Sequence, residues 1–421
     1  MSVPKGHKRP VLVLGSSPTA LAVVRELACQ RDFFVAVADT QRGCAGVSRY
    51  AAQFFLLAND GGCSLTEALA SLARLWGCAP FVVPTSDAAI EWLETLDTAC
   101  FQTFRSYRSG LALDFLDKQK IARLVAEHSD FAQPRTVNLS VVDPDAPPLP
   151  LPFFCKPRSI HRHRHDLPGQ KGFIIRSAHE WRAWCDRFGG EAARWLLQEI
   201  IPGAEDNIVL FAGAFGRDGR VLGGFSARKL RQYPPGFGSA TQVVTEDIPE
   251  LAARAMAFLR RLGYTGVCCG EFKWCPQRRD WVVIEFNPRP SLWYAAVSAG
   301  GLPLTRLAMT DVLSDLECKD QTHDMAVTPG AGLSSGHVPP VHWRYVAKDL
   351  ASAWFYRRHG KRFVLPPPNP KRYVSGTVRP VFAVFRWSDP VPLLVEWMTY
   401  FRKGLARLRR RAGQNRKEGR S

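Results

Sequence analysis

Two carboxylates facing each other on neighbouring β-strands constrain this chain more than any other feature of its sequence. Gly270-Glu-Phe-Lys-Trp274 and Trp281-Val-Val-Ile-Glu-Phe-Asn-Pro-Arg289 each read as a strand, with a short polar loop between them. Side chains alternate faces along a strand. Glu271 and Lys273 therefore share a face, with Phe272 opposite. On the second strand Glu285, Asn287 and Arg289 share a face, while Ile284 and Phe286 point the other way into a core. A loop over Pro276 to Asp280 pairs Trp274 with Val282 and Glu271 with Glu285, and such opposed Cβ atoms lie about 5 Å apart. Two carboxylates at that separation repel and weaken the sheet; a divalent cation between them turns the repulsion into a site. Glu271, Glu285 and Asn287 offer hard oxygen ligands, which suit Mg²⁺, with Mn²⁺ as an alternative. Arg289 on the same face can stabilise charge on a phosphoryl group in transit. Salt bridges from Glu271 or Glu285 to Lys273 or Arg289 are the competing explanation of this face.

The rest of the chain supplies an α/β setting. Val11 to Leu14 reads as a buried strand, followed by a turn at Gly15 and a helix from Thr19 to Cys29. Phe33 to Ala38 and Phe81 to Pro84 are further strands, the last followed by a Ser86/Asp87 helix cap. Strands alternating with helices predict a small parallel sheet. The turn at Gly15 lacks a full GxGxxG, so ordinary sheet-to-helix packing explains it. From Leu116 a second unit begins, with Asp117 capping a helix through Lys118, Lys120 and Leu124. Phe153-Phe-Cys-Lys156 and Trp195-Leu-Leu-Gln-Glu199 are short strands. Arg217-Asp-Gly219 turns one hairpin, and a helix from Ile248 to Leu262 ends at Gly263. Beyond Cys318 the composition shifts to Gly, Pro and Ser, then to a basic final helix. The expected organisation is an N-terminal α/β domain over 1–115, a second domain over 116–318, and a linker with a basic C-terminal extension over 319–421.

Glu271 followed by Glu285-Phe-Asn-Pro-Arg289 resembles the metal and catalytic signature of the ATP-grasp superfamily. Further segments are similar in order and spacing, over roughly residues 10 to 315. Lys118 resembles the first ATP-contacting basic residue of that family, and Lys156 the strand lysine that reaches the α- and β-phosphates. Gln198-Glu-Ile-Ile-Pro-Gly203 is similar to the hinge, where Glu199 and the backbone of Ile201 would hold adenine. Asp206, or else Glu205, would hold the ribose hydroxyls. Arg228-Lys-Leu-Arg-Gln-Tyr-Pro-Pro-Gly-Phe-Gly238 resembles a segment of the predicted carboligase branch, which includes the D-aspartate ligase type. The resemblance implies an ATP-grasp fold with an N-terminal pre-ATP-grasp domain. It also implies an ATP- and Mg²⁺-dependent ligase that joins a carboxylate to an amine or thiol through an acyl phosphate. Arg289, with Lys229 or Arg228, would steady that intermediate, and Lys229 to Thr241 would form a substrate-facing lid. A phosphotransferase and a non-catalytic nucleotide-binding module are the alternatives. One departure stands out: where the family has a glycine-rich loop over the triphosphate, this chain has Ser159-Ile-His-Arg-His-Arg-His165, with Gly169 and Gly172 only afterwards. A zinc site on His161, His163 and His165 is the minor alternative there, without a carboxylate or cysteine partner nearby.

Charge and composition limit the partners. The net charge of +18 favours anionic ones, and no known nucleic-acid motif accompanies it. No stretch approaches the ~20 apolar residues of a membrane helix. The 11 cysteines contain no CxxC pair, which fits a reducing, cytoplasmic compartment. The final helix sets Leu393, Leu394, Trp397, Met398, Phe401, Leu405 and Leu408 among Arg and Lys. Packing on the enzyme core accounts for it; docking on an anionic membrane surface is the other reading. Small-molecule carboxylate and amine substrates are the expected partners, and a homodimer is compatible with the sequence.

Overall fold

A computed structural model describes residues 8–29, 32–60, 63–96, 105–106, 110–138, 142–158, 167, 171–320, 340–374 and 378–402. The chain divides into two compact units. Residues 1–83, 96–105 and 382–421 belong to the first, and residues 84–95 and 106–381 to the second.

In the first unit β1 (Arg9–Leu14), β2 (Phe33–Asp39), β3 (Gln53–Leu56) and β4 (Phe81–Pro84) form a sheet in the order β3-β2-β1-β4, with the two-residue β5 (Arg105–Ser106) beside β4. β1 pairs with β2, and β2 with β3, in parallel. Val11 to Leu14 are at most 1 % exposed, as expected of a parallel strand covered on both faces. α1 (Pro18–Ala28) opens on Ser17, whose hydroxyl accepts from the Ala20 N–H, with proline in the first turn. α2 (Cys63–Trp76) follows β3. Late in the chain, Asp389 returns to this unit. Its carboxylate accepts from Arg25, from the Ser48 hydroxyl at 2.6 Å and from the Arg49 N–H at 3.0 Å, and it is 1 % exposed.

The second unit starts with α3 (Asp87–Thr95), α4 (Ala112–Leu116) and α5 (Lys118–His128). Asp117 caps α5 by accepting from Gln119 and Lys120, as its sequence predicts. β6 (Thr136–Asn138), β7 (Phe153–Pro157), β8 (Phe173–Ile175) and β9 (Trp195–Glu199) make an antiparallel sheet in the order β6-β9-β7-β8. α6 (Ala178–Phe188) covers it with Trp181, Trp184 and Phe188 against Trp195. A Cβ on Gly172 would lie 2.2 Å from the Cys155 carbonyl oxygen, so only glycine lets the chain enter β8 this close to β7.

A larger sheet supplies the other wall of the unit. β10 (Ile208–Phe215), β11 (Val221–Tyr233), β12 (Ser239–Thr245), β13 (Gly266–Cys275) and β14 (Asp280–Asn287) are joined by β15 (Val341–Arg344) and β16 (Arg379–Phe382). The order is β14-β13-β10-β11-β12-β15-β16. α7 (Pro249–Arg261) packs Phe258 and Leu259 on Phe211, Phe272 and Phe286 of this sheet. α8 (Ala295–Ala299) and α9 (Leu304–Asp320) follow β14, and α10 (Val346–His359) follows β15.

Three expectations change. First, the β13–β14 turn is shorter than the sequence suggested: Cys275 pairs with Asp280 and Trp274 with Trp281, not Val282. Arg279 takes a left-handed φ of 51° to close it. A bulge at Ile284 restores the register, so Glu271 still faces Glu285. The extra residue also reverses the alternation. Phe286 enters the main core beside Val283, but Ile284 lies on the cleft side with Glu285, packed against a small cluster of Ile201, Cys275 and Val282. Second, Lys229 to Thr241 is no free-standing loop; it is the end of β11, a turn and the start of β12. Third, residues 319–421 are not one extension: β15 and α10 are built onto β12 and β11, whereas residues from 382 onward belong to the first unit.

Candidate active site

All the polar groups described below belong to the second unit. Adjacent strands β13 and β14 present Glu271 and Glu285 directly opposite each other. Like charges so placed repel, and the surroundings compensate. Lys229 on β11 is fully buried; its Nζ donates to Glu271 Oε2 at 2.6 Å and to Gln232 Oε1 at 3.2 Å. Asn287 Nδ2 donates to Glu285 Oε1 at 3.2 Å, and Arg289 Nη2 to Asn287 Oδ1 at 3.3 Å. Arg289 Nε pairs with Asp87 in the first turn of α3. Burial disfavours the Glu285 charge. The Lys171 ammonium, the Asn287 amide, Lys229 and Lys118 outweigh that effect and hold its pKa well below the usual carboxylate range.

Three lysines approach the same carboxylate from the other sheet and from α5. Lys156 on β7 donates to Gln198 Oε1 at 2.8 Å, and Lys118 donates to the Arg158 carbonyl at 3.2 Å. Burial, with further repulsion from Lys118, lowers the Lys156 pKa to about 7. Burial likewise lowers Lys118 to about 8, with Glu285 partly opposing it. Lys171 behaves differently: burial works against its charge, but Glu285 and Glu271 prevail and raise its pKa. Sequence reasoning missed Lys171. It lies at the end of a basic segment read only as a loop, and its single signal was its position just before the glycine that β8 requires. His161, His163 and His165 lie outside the described residues.

The hinge resemblance fares unevenly in space. Gln198, Glu199 and Ile201 line a cavity of about 100 Å³ with Lys118, Lys156 and Lys171. It adjoins one of about 370 Å³, with which it shares Lys118, Lys156, Gln198, Ile284 and Glu285. Glu199 Oε1 accepts from the Arg135 N–H at 2.6 Å and from Arg278. Lys273 Nζ clamps the hinge, donating to the Ile201 carbonyl at 2.8 Å and the Gly203 carbonyl at 2.7 Å. It is therefore not a salt-bridge partner of Glu285. Phe237, in the β11–β12 turn, stacks on Phe154 with ring centroids 4.2 Å apart and faces the same cavity.

Asp206, Glu205 and Arg228 are not brought to these cavities. Asp206 accepts from the Asn369 N–H at 3.0 Å. Glu205 is fully buried and accepts from the Gln232 and Gly236 N–H groups and from the Tyr356 hydroxyl. Arg228 projects away from its neighbour Lys229, as strand alternation requires. There it pairs with Glu246, donates to the Asp206 carbonyl at 2.8 Å and lies over the Tyr373 ring.

Among the described residues no group of three or more His, Cys, Asp or Glu side chains is arranged to hold a metal. A metal held between the facing acids would meet two carboxylates, Glu271 and Glu285, and the amide oxygen of Asn287. This set fits Mg²⁺: the donors are hard, few and borne on adjacent strands, and Mg²⁺ completes its shell with water and phosphate oxygens. The surplus of cations over Glu271, Glu285 and Asp87 suits a polyanion.

No protein-family model and no curated protein matches the sequence. Solved structures do match the fold. N5-carboxyaminoimidazole synthetase from Staphylococcus aureus superposes with a TM-score of 0.55 at 13 % identity, over 86 % of this chain and 89 % of that one. The biotin carboxylase domain of Hydrogenobacter thermophilus 2-oxoglutarate carboxylase, solved with MgADP, ADP and bicarbonate, gives 0.54 at 14 %, over 73 % and 70 %. L-amino acid ligase from Bacillus licheniformis gives 0.53 at 12 %, over 73 % and 75 %. These neighbours are ATP-grasp enzymes, and at such identities the likeness speaks to architecture: this chain has the ATP-grasp fold, with a parallel α/β region at its N-terminal end.

Proposed function

We propose that this protein is an ATP-dependent ligase that activates a small carboxylate as an acyl phosphate and passes the acyl group to an amine. The carrying observation is the opposed pair Glu271 and Glu285, ringed by Lys118, Lys156, Lys171, Lys229 and Arg289 at cavities lined from both sheets. Two facing acids beside several buried cations suit a metal–triphosphate complex better than a salt-bridged surface. The neighbours named above include a synthetase, a carboxylase domain and an amino acid ligase, one of them holding MgADP, which supports the same reading.

Each residue has a role in this reading. Gln198, Glu199 and Ile201 line the smaller cavity, where the base would sit. Lys156 and Lys118 neutralise the α- and β-phosphates. Glu271, Glu285 and Asn287 hold Mg²⁺, which neutralises charge on the phosphate oxygens when bound. The substrate carboxylate oxygen attacks the γ-phosphorus as the bond to ADP breaks. An amine then attacks the acyl carbon, phosphate leaves, and the amine gives up a proton. Lys171 and Arg289 face the acids and steady the phosphoryl charge; Asp87 positions the Arg289 guanidinium. Protein catalysis here is placement and electrostatics. The free described cysteines accord with a cytoplasmic setting.

The test is ADP release over a matrix of carboxylic acids and amines. Release that needs both partners supports the ligase; release needing only an acceptor, with a phosphorylated product, points to a phosphotransferase. Glu285→Gln keeps shape and removes charge. It should lower turnover by roughly a hundredfold or more with the melting temperature preserved. Unchanged turnover would refute the metal assignment.

A further inference from the structure

The C-terminal segment of the first unit exposes an apolar stripe that packing on the core does not explain. The chain is tied down at Asp389, through Arg25, Ser48 and Arg49. Residues 391–402 then run as a helix. Pro392 is buried and Leu393, Val395 and Glu396 are half-buried, so this helix already has an inward side. Its other side presents Leu394 (61 % exposed), Trp397 (67 %), Met398 (51 %) and Phe401 (68 %), and Trp387 just before it is 88 % exposed. Spacings of three, one and three residues put the four on one stripe. Leu405, Leu408, Lys403, Arg407 and Arg409 to Arg411, which the sequence places on the same helix, lie outside the described residues; as sequence they make the end of the chain basic. After Glu396 the only acidic residue is Glu418.

We propose that Trp387 and the helix of residues 391–402 dock this protein on an anionic lipid surface. Indole and phenyl side chains with aliphatic neighbours bury their apolar parts at the boundary of headgroups and acyl chains, and flanking Arg and Lys meet the acidic headgroups. Charge complementarity selects this occupant. A second copy of the chain would bring a like charge of +18 and an identical basic tail. A nucleic acid would satisfy the arginines but leave Leu394, Met398 and Phe401 uncovered. The mode is interfacial: among the described residues no helix is long and apolar enough to cross a membrane.

Flotation of the full chain with vesicles tests this. The protein should float with vesicles of phosphatidylglycerol and phosphatidylcholine in equal parts and stay behind with phosphatidylcholine alone, and molar salt should weaken the binding. Trp397→Ser with Phe401→Ser should lower the partition coefficient roughly tenfold or more while circular dichroism and melting temperature stay unchanged. Arg409, Arg410 and Arg411→Gln should lower it without touching the apolar stripe. No flotation with the anionic vesicles at low salt would overturn the proposal. So would equal flotation of the Trp397/Phe401 variant, tighter binding to duplex DNA than to vesicles, or a lipid-free dimer that the same variant abolishes.

Discussion

Lys156 and Lys118 have pKa values near 7 and 8 because burial next to like charge disfavours their ammonium forms. The sign of the consequence follows from linkage. In the nucleotide-free protein these lysines release protons well below the pH at which unfolded-chain lysines do. Its stability should therefore rise as pH climbs from 7 towards 10. A bound triphosphate favours the charged forms, so ATP binding should take up protons and weaken from pH 7 to pH 9. Calorimetric titration in two buffers of different ionisation heat measures this; heats independent of buffer would contradict it. Lys171 and Lys156 should separate kinetically. In the proposed reading Lys156 holds a phosphate in the ground state, so Lys156→Met should mainly raise the KM for ATP. Lys171→Met removes the cation with the largest charge effect on Glu285 and should mainly lower kcat, by roughly tenfold to a hundredfold. Equal effects on the two parameters in both variants would remove the distinction.

At the scale of elements, β13 and β14 were legible in the sequence down to the pairing of Glu271 with Glu285. Alternation of Phe272 and Phe286 against Glu271 and Glu285 carries that information. The bulge was not legible. The tight turn moved the register by one residue and Ile284 moved it back, so two unforeseen changes cancelled at the carboxylates and showed in the partners of Phe272 to Cys275. Lys229 and Arg228 are a second case: neighbours on one strand take opposite faces, but which of them meets Glu271 depends on where β11 lies beside β10. The β7–β8 entry provides a test of local packing. Gly172→Ala places a methyl against the Cys155 carbonyl, a clash costing about 1–3 kcal/mol. The melting temperature should fall by several degrees, with weaker ATP binding as Lys171 shifts. An unchanged melt would show that this approach relaxes freely.

At the scale of the molecule, residues 319–421 read as a linker and basic extension, yet Asp389 is among the most buried acids of the described residues. Burial lowers the Arg25 pKa even with Asp389 beside it, so each charge depends on the other. Asp389→Ala strands a buried guanidinium and should destabilise the first unit by about 3 kcal/mol, read as a lower denaturation midpoint. An unchanged midpoint in Asp389→Ala would remove Asp389 as an anchor. Nothing in the composition signalled it, because an Asp-Pro pair before a helix reads as an ordinary cap.

By itself the sequence determined the strand-and-helix alternation of the first unit, the Asp117 cap and the facing acids of β13 and β14, because periodicity and capping act over a few residues and are written locally. Tertiary structure alone decided that Lys171 joins Glu285, that Lys273 holds the hinge carbonyls, that Asp206 and Glu205 turn away from the cavities, and that Asp389 closes on Arg25. Those contacts link residues far apart in the chain. Their energies depend on burial and on the sum of neighbouring charges, which no short stretch of sequence contains.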